Sequence, residues 1–130
     1  MTELAAERLD PALVEALVGA SHGDLAQVRE LLGREPALVN ATWDWGGGDW
    51  ETGLGAASHM GDREIALLLL DAGARPDVFA AAMLGWTEVV AALLAARPGL
   101  RDTRGPHGIP LIAHAQAGGD AAVAVVELLA

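Results

Sequence analysis

The sequence predicts an all-α fold, a solenoid of about four irregular helix–turn–helix repeats. Three observations predict it. Glycine-centred turns recur at Gly23-Asp24, Gly61-Asp62, Gly85-Trp86 and Gly118-Gly119-Asp120. An apolar run at helical spacing precedes and follows each turn, as paired amphipathic helices require. Apolar residues make up 52% of the chain, mostly Ala, Leu and Val, with one Phe and no Tyr. Small side chains at helical spacing suit short helices that stack closely.

The elements follow in order. In the first unit, about residues 11–39, Asp10 caps a helix that opens on Pro11 and runs to about Ser21. Gly23-Asp24 turns the chain, and Leu25 to Leu32 forms the second helix, with Gly33 expected as its C-cap. The second unit, 49–75, runs from Asp49 to Arg75 and holds the clearest helix pair. The third, 77–97, places Asp77 to Leu84 before the Gly85-Trp86 turn and Thr87 to Ala96 after it. The fourth, 108–130, sets Ile109 to Ala115 before its turn and Ala121 to Ala130 after it.

The spacing between turn glycines is uneven. Gly23 to Gly61 is 38 residues, Gly61 to Gly85 is 24, and Gly85 to Gly118 is 33. By comparison among these spacings, the loop before unit two, residues 41–51, is enlarged. The loop before unit three is nearly absent, since only Arg75-Pro76-Asp77 bridges the helices. The expected consequence is a gap flanked by the long loop and by Arg101 to Gly108. A recess bounded by loops on a rigid scaffold is a natural ligand site. The loops themselves are expected to be short and without β-structure.

Composition excludes several functions. The chain has 8 Arg, no Lys and 18 acidic residues, for a net charge of −10. Nucleic acid needs a basic stripe that is missing, and no basic amphipathic helix points to a membrane surface. Without Lys no side chain forms a Schiff base. Without Cys there are no disulfides, thiol nucleophiles or thiolate metal sites. No apolar run reaches a membrane span, and the N-terminal stretch lacks a signal-peptide core. A cytoplasmic protein of one domain, residues 1–130, is expected.

The unit from Asp49 to Arg75 resembles the ankyrin repeat. Thr52-Gly53-Leu54-Gly55 lies where that family has T-P-L-H. Ala57 to Asp62 matches A-A-x-x-G-H, Glu64 to Leu70 matches E-I-V-x-x-L-L, and Gly73-Ala74 closes the unit. The tract Trp43 to His59, followed by Gly105-Pro106-His107-Gly108-Ile109, is also similar to a group of small bacterial single-domain ankyrin-repeat proteins. The resemblance implies a protein-binding module with a concave face. It places His59 and Met60 on that face, with Ser21-His22 and Met83-Leu84 as their equivalents. It also sets His114 where a small Ala belongs.

Three of the four Trp fall in the long loop, as Trp43, Trp45 and Trp50, together with Asp44, Asp49 and Gly46-Gly47-Gly48. Each indole alone reads most simply as a pin holding the loop to the helices. Together, with the carboxylates, they form an aromatic wall for a cation, a peptide or a planar molecule. Each His alone reads most simply as a loop brace or a buried hydrogen-bonded ring. His59, His107 and His114 are expected to converge on one recess. Two functions follow. The first is an ankyrin-type module whose recess binds a small molecule or peptide through Trp43, Asp44, Trp45, Trp50, Met60, Met83 and His107. The alternative is a small acid–base enzyme of isomerase, cyclase, dehydratase or hydrolase type. In that reading His59 or His114 is the base and Asp49 or Glu51 its partner. The same imidazoles with Asp44, Asp49 or Glu51 are donors of the type zinc takes. No H-x-x-x-H or H-x-H pair sets two ligands on one element, so no metal or other cofactor is expected. A monomer is expected, with a dimer through the apolar C-terminal helix as the alternative.

Overall fold

The computed structural model describes residues 7–130, and the N-terminal stretch read for a signal peptide lies outside them. Within this range the protein is mostly helical, with eight α-helices and one two-stranded sheet. The helices are α1 (Pro11–Ala20), α2 (Leu25–Arg34), α3 (Gly53–Met60), α4 (Arg63–Asp71), α5 (Val78–Leu84), α6 (Thr87–Ala96), α7 (Leu111–Ala117) and α8 (Val123–Leu129). Between α2 and α3 the strands β1 (Thr42–Asp44) and β2 (Trp50–Thr52) pair antiparallel, with Trp43 opposite Glu51. Short 3₁₀ turns at Pro36–Asn40, Pro98–Asp102, Pro106–Gly108 and Gly119–Ala122 complete the chain.

Local chemistry sets most helix starts. Asp10, Asp24, Asp62 and Asp77 each accept a backbone N–H from the first turn of the helix that follows, and the Thr52 hydroxyl does the same for Gly55. These caps satisfy donors that the helix leaves open. Gly61 and Gly85 close α3 and α5 in left-handed geometry, at φ +67° and +78°. Gly33 does not cap α2 as expected. It lies inside that helix, which ends at Arg34, where Pro36 forces the preceding residue out of helical geometry. The last unit also starts late: α7 begins at Leu111 rather than Ile109, and α8 at Val123 after a 3₁₀ turn.

Consecutive helices pair as α1 with α2, α3 with α4, α5 with α6, and α7 with α8. The first members of the pairs lie side by side, α1 on α3, α3 on α5, and α5 on α7. Helix α3 also touches α7 directly, so the second and fourth helix pairs meet. Two buried clusters fill the interior. One is built on Leu17, Val18, Leu31, Leu54, Ile65 and Leu69, the other on Val90, Leu111, Ala115 and Val125. Helix α8 turns Val125 and Leu129 inward and leaves Val123 exposed. Among the described residues, no helix is long and apolar enough to cross a membrane.

The long loop corrects the expectation of loops without β-structure. It is a β-hairpin whose tip is pinned by one side chain. The Asp44 carboxylate accepts the backbone N–H groups of Gly46 and Gly48. Gly46, Gly47 and Gly48 all hold positive φ, which lets so short a loop reverse the chain.

Candidate metal centre

Glu51 is the focus of the site. It is the middle residue of β2, and the alternation of a strand turns it inward while its neighbour Trp50 is 58% exposed. A buried carboxylate is costly unless several groups compensate its charge. Four side chains surround this one. The Trp45 indole N–H donates to Oε1 at 2.8 Å. Nε2 of His22 and Nε2 of His107 each stand 3.2 Å from Oε1. Nε2 of His59 stands 3.0 Å from Oε2.

Four separate segments deliver these groups. His22 sits in the turn just after α1, and its Nδ1 donates to the carbonyls of Val18 and Gly19 at 3.0 and 3.1 Å. His59 lies in the last turn of α3. Trp45 follows β1. His107 lies at the tip of the loop before α7, where its backbone takes φ +62°, an uncommon conformation for a residue with a Cβ. Asp49 holds it there. The Asp49 carboxylate accepts the His107 backbone N–H at 2.8 Å through Oδ1 and the ring Nδ1–H at 2.8 Å through Oδ2.

These contacts fix which ring nitrogen carries a proton. A carbonyl only accepts, so Nδ1 of His22 is the donor. The His107 backbone N–H, helped by the ring, holds the Asp49 carboxyl below its ordinary range despite some desolvation, so Nδ1 of His107 is a donor too. Both Nε2 atoms therefore aim a lone pair at a carboxylate oxygen unless each binds a further cation. At His59 the conflict is sharper. Its Nε2 and the Glu51 Oε2 are both buried, 3.0 Å apart, and neither has a hydrogen-bond partner. Burial pushes the Glu51 carboxyl up. The contacts from His59 and Trp45 and the charges of His22 and His107 outweigh that and hold it below the usual range, so it is ionised. Desolvation pulls the His107 imidazole down, but Asp49 and Glu51 raise it further.

One ring nitrogen each of His22, His59 and His107 and a carboxylate oxygen of Glu51 all lie within 4.8 Å of one another. A tetrahedral zinc ion with bonds of about 2.0–2.1 Å needs donor atoms roughly 3.3 Å apart. The contacts between Glu51 and the three imidazoles are at that scale. The hydrogen bonds on the far side of His22 and His107 are the outer contacts that orient metal-binding imidazoles, a backbone carbonyl in one case and a carboxylate in the other.

The structure thus brings together Asp49, Glu51, His59, His107 and Trp45. It also recruits His22, which the sequence reading placed on the concave face but left out of the site. The missed signal is a repeated dipeptide. Ser21-His22 and Ser58-His59 occur at the ends of α1 and α3, and both serines are buried and donate to the carbonyl four residues back.

Several expected site residues lie elsewhere. Trp43 packs on the core and, with Trp50, lines a shallow groove beside Leu9, Pro11 and Val14. Asp44 is taken up by the hairpin tip. Met83 is buried in the core of α5 rather than on a binding face, and Met60 is 52% exposed at the end of α3. His114 is fully buried, with Nδ1 donating to the Pro110 carbonyl at 3.0 Å and its ring 4.6 Å from that of Phe79. Its ring centre is 6.5 Å from that of His59, so it adjoins the cluster without entering it. Beside α5 and α6, Pro76, Val78, Trp86, Val89 and Leu93 line an apolar groove of about 510 Å³, with no histidine. Comparison with protein-family models, with curated proteins and with solved structures finds no match.

Proposed function

We propose that this protein binds one divalent transition-metal ion of the zinc class. The ligands are Nε2 of His22, His59 and His107 and one carboxylate oxygen of Glu51, and the scaffold is an ankyrin-like stack of four helix pairs. The carrying observation is the set of three imidazoles with Nε2 3.0–3.2 Å from one buried carboxylate, two of them with Nδ1 already committed as a donor. A single divalent cation satisfies every donor atom at once. Supplying a second proton to each imidazole instead places three cations side by side around a single carboxylate. Imidazole nitrogens with one carboxylate suit zinc and its neighbours in the transition series. The caps at equivalent places, Asp10, Thr52 and Asp77 on the first helices of three pairs and Asp24 and Asp62 on the second helices of two, support the repeat reading of the scaffold.

Metal analysis of protein stripped with chelator, reloaded with zinc and desalted tests this reading. One zinc per chain is expected, with uptake abolished in His59→Ala. In Asp49→Asn, which loosens His107 without removing a ligand, affinity is expected to fall roughly 10- to 100-fold. Absence of stoichiometric uptake at neutral pH would overturn the proposal.

A second reading keeps the recess but not the metal. The Asp49–His107 contact at 2.8 Å, with Glu51 on the other side of the ring, is an arrangement suited to proton transfer on a small molecule held against Trp45. The unpartnered Glu51 and His59 atoms favour the metal.

A further inference from the structure

We infer that the ion keeps a coordination position open to solvent between His22 and His107, beneath the Trp45 ring, and takes a small anion there, a carboxylate or hydroxide. This rests on the metal reading above and concerns what the bound ion does next.

The site is lopsided. The side chain of Glu51 is 0% exposed and that of His59 10%, whereas His22 and His107 are 28% and 32% exposed. The three imidazoles form an unequal triangle. Ring centres are 5.1 Å apart for His22 and His59, 5.2 Å for His59 and His107, and 6.1 Å for His22 and His107. The widest side thus joins the two exposed rings. Trp45 stands over that side, 6.1 Å from His22 and 6.2 Å from His107, and is itself 39% exposed.

Trp45 also limits what Glu51 can give. Its N–H takes up one lone pair of Oε1, which disfavours a geometry in which both oxygens wrap the ion. Three nitrogens and one oxygen fill four positions. Zinc accepts a fifth ligand, and cobalt, manganese and iron accept a fifth and sixth. Charge selects the ligand. Three neutral imidazoles and one carboxylate leave a divalent ion with a net single positive charge among its own ligands, while the Asp49 carboxylate stands one ring farther out, behind His107. An anion entering between the two exposed rings meets that charge beside the Trp45 indole, whose N–H edge is turned to Glu51.

Cobalt(II) in place of zinc, followed by visible absorption during an azide titration, tests the inference. The expected result is a saturable band shift with one azide per cobalt. In Trp45→Phe the Oε1 hydrogen bond is lost while the phenyl ring still fills the surface. Cobalt should still bind there, with azide affinity altered several-fold as Glu51 becomes free to use both oxygens. Cobalt bound one per chain with a spectrum that azide leaves unchanged would overturn the open position and leave the metal site standing. An azide response identical in wild type and Trp45→Phe would overturn its placement beneath the indole. Failure of cobalt and zinc to bind would overturn both readings.

Discussion

His114 carries a lone pair into the interior that nothing meets. Its Nδ1–H is given to Pro110, and its Nε2 is buried without a partner. Burial therefore pulls the imidazole below its ordinary value of 6.5, opposed only in part by the Pro110 carbonyl. The linkage has a definite sign. Above about pH 6.5 the residue is neutral in both folded and unfolded chains and contributes no slope. As pH falls below that, the unfolded chain takes up a proton that the native one refuses. Stability then drops by up to about 1.4 kcal/mol per pH unit, until the lowered native value is passed. His107, raised by Asp49 and Glu51, has the opposite slope, so the comparison must be with a variant. Urea unfolding of metal-free protein at pH 7 and pH 5 should show wild type losing more stability than His114→Gln. Equal losses would mean that His114 is protonated in the native state. At this scale the sequence made His59, His107, Asp49, Glu51 and Trp45 legible, because each departs from what a plain turn or helix face needs. It did not separate ligands from braces. Asp44 and Asp49 are both acidic residues in one glycine-rich loop, yet one caps the hairpin tip and the other anchors a histidine 58 positions away.

At the scale of elements, two glycines illustrate what the chain demands of its turns. Gly61 ends α3 at φ +67°, and a Cβ there would run into the carbonyl oxygen of Ala117 on α7. Gly33, in the exposed body of α2, has ordinary helical geometry and open space around it. Opposite outcomes are expected from the same substitution. Gly61→Ala should lose roughly 2–4 kcal/mol, because the left-handed strain adds to a backbone clash that side-chain movement cannot relieve. Gly33→Ala should gain up to about 1 kcal/mol from helix propensity alone. Thermal or urea unfolding of the two variants decides, and a neutral Gly61→Ala would mean that α3 and α7 do not approach so closely in solution. The helix pairs were readable from capping aspartates and turn glycines, whose physics is local. The hairpin was not. Its strands are three residues each, and their pairing depends on Asp44 folding back onto Gly46 and Gly48, a contact that periodicity does not register.

The whole molecule converges on a site whose ligands are spread from His22 to His107, so the ion would tie together parts that the chain itself joins only by packing. Helix α3 meets α7, and the loop before α7 carries His107 to Glu51, which His22 and His59 contact from the turn after α1 and from α3. The uneven glycine spacing pointed to a gap before α5, and what lies there is the groove of Pro76, Val78, Trp86, Val89 and Leu93. The sequence could not say that the open groove there would be apolar and the polar cluster closed around a carboxylate. Because an unfolded chain cannot preserve this arrangement, ligand-binding energy becomes folding energy. Free zinc at 100 times its dissociation constant should therefore stabilise the native state by about 2.7 kcal/mol. The gain should appear as a higher melting temperature in zinc than in chelator, and His59→Ala should melt at the same temperature in both. Hydrogen exchange adds a spatial check. Zinc should slow exchange at the His107 backbone N–H, which reaches the centre only through Asp49, while amides of the outer helices α6 and α8 should change less. A melting temperature indifferent to zinc, with exchange at His107 unaltered, would leave the four side chains as a buried ion-pair network held by protons alone.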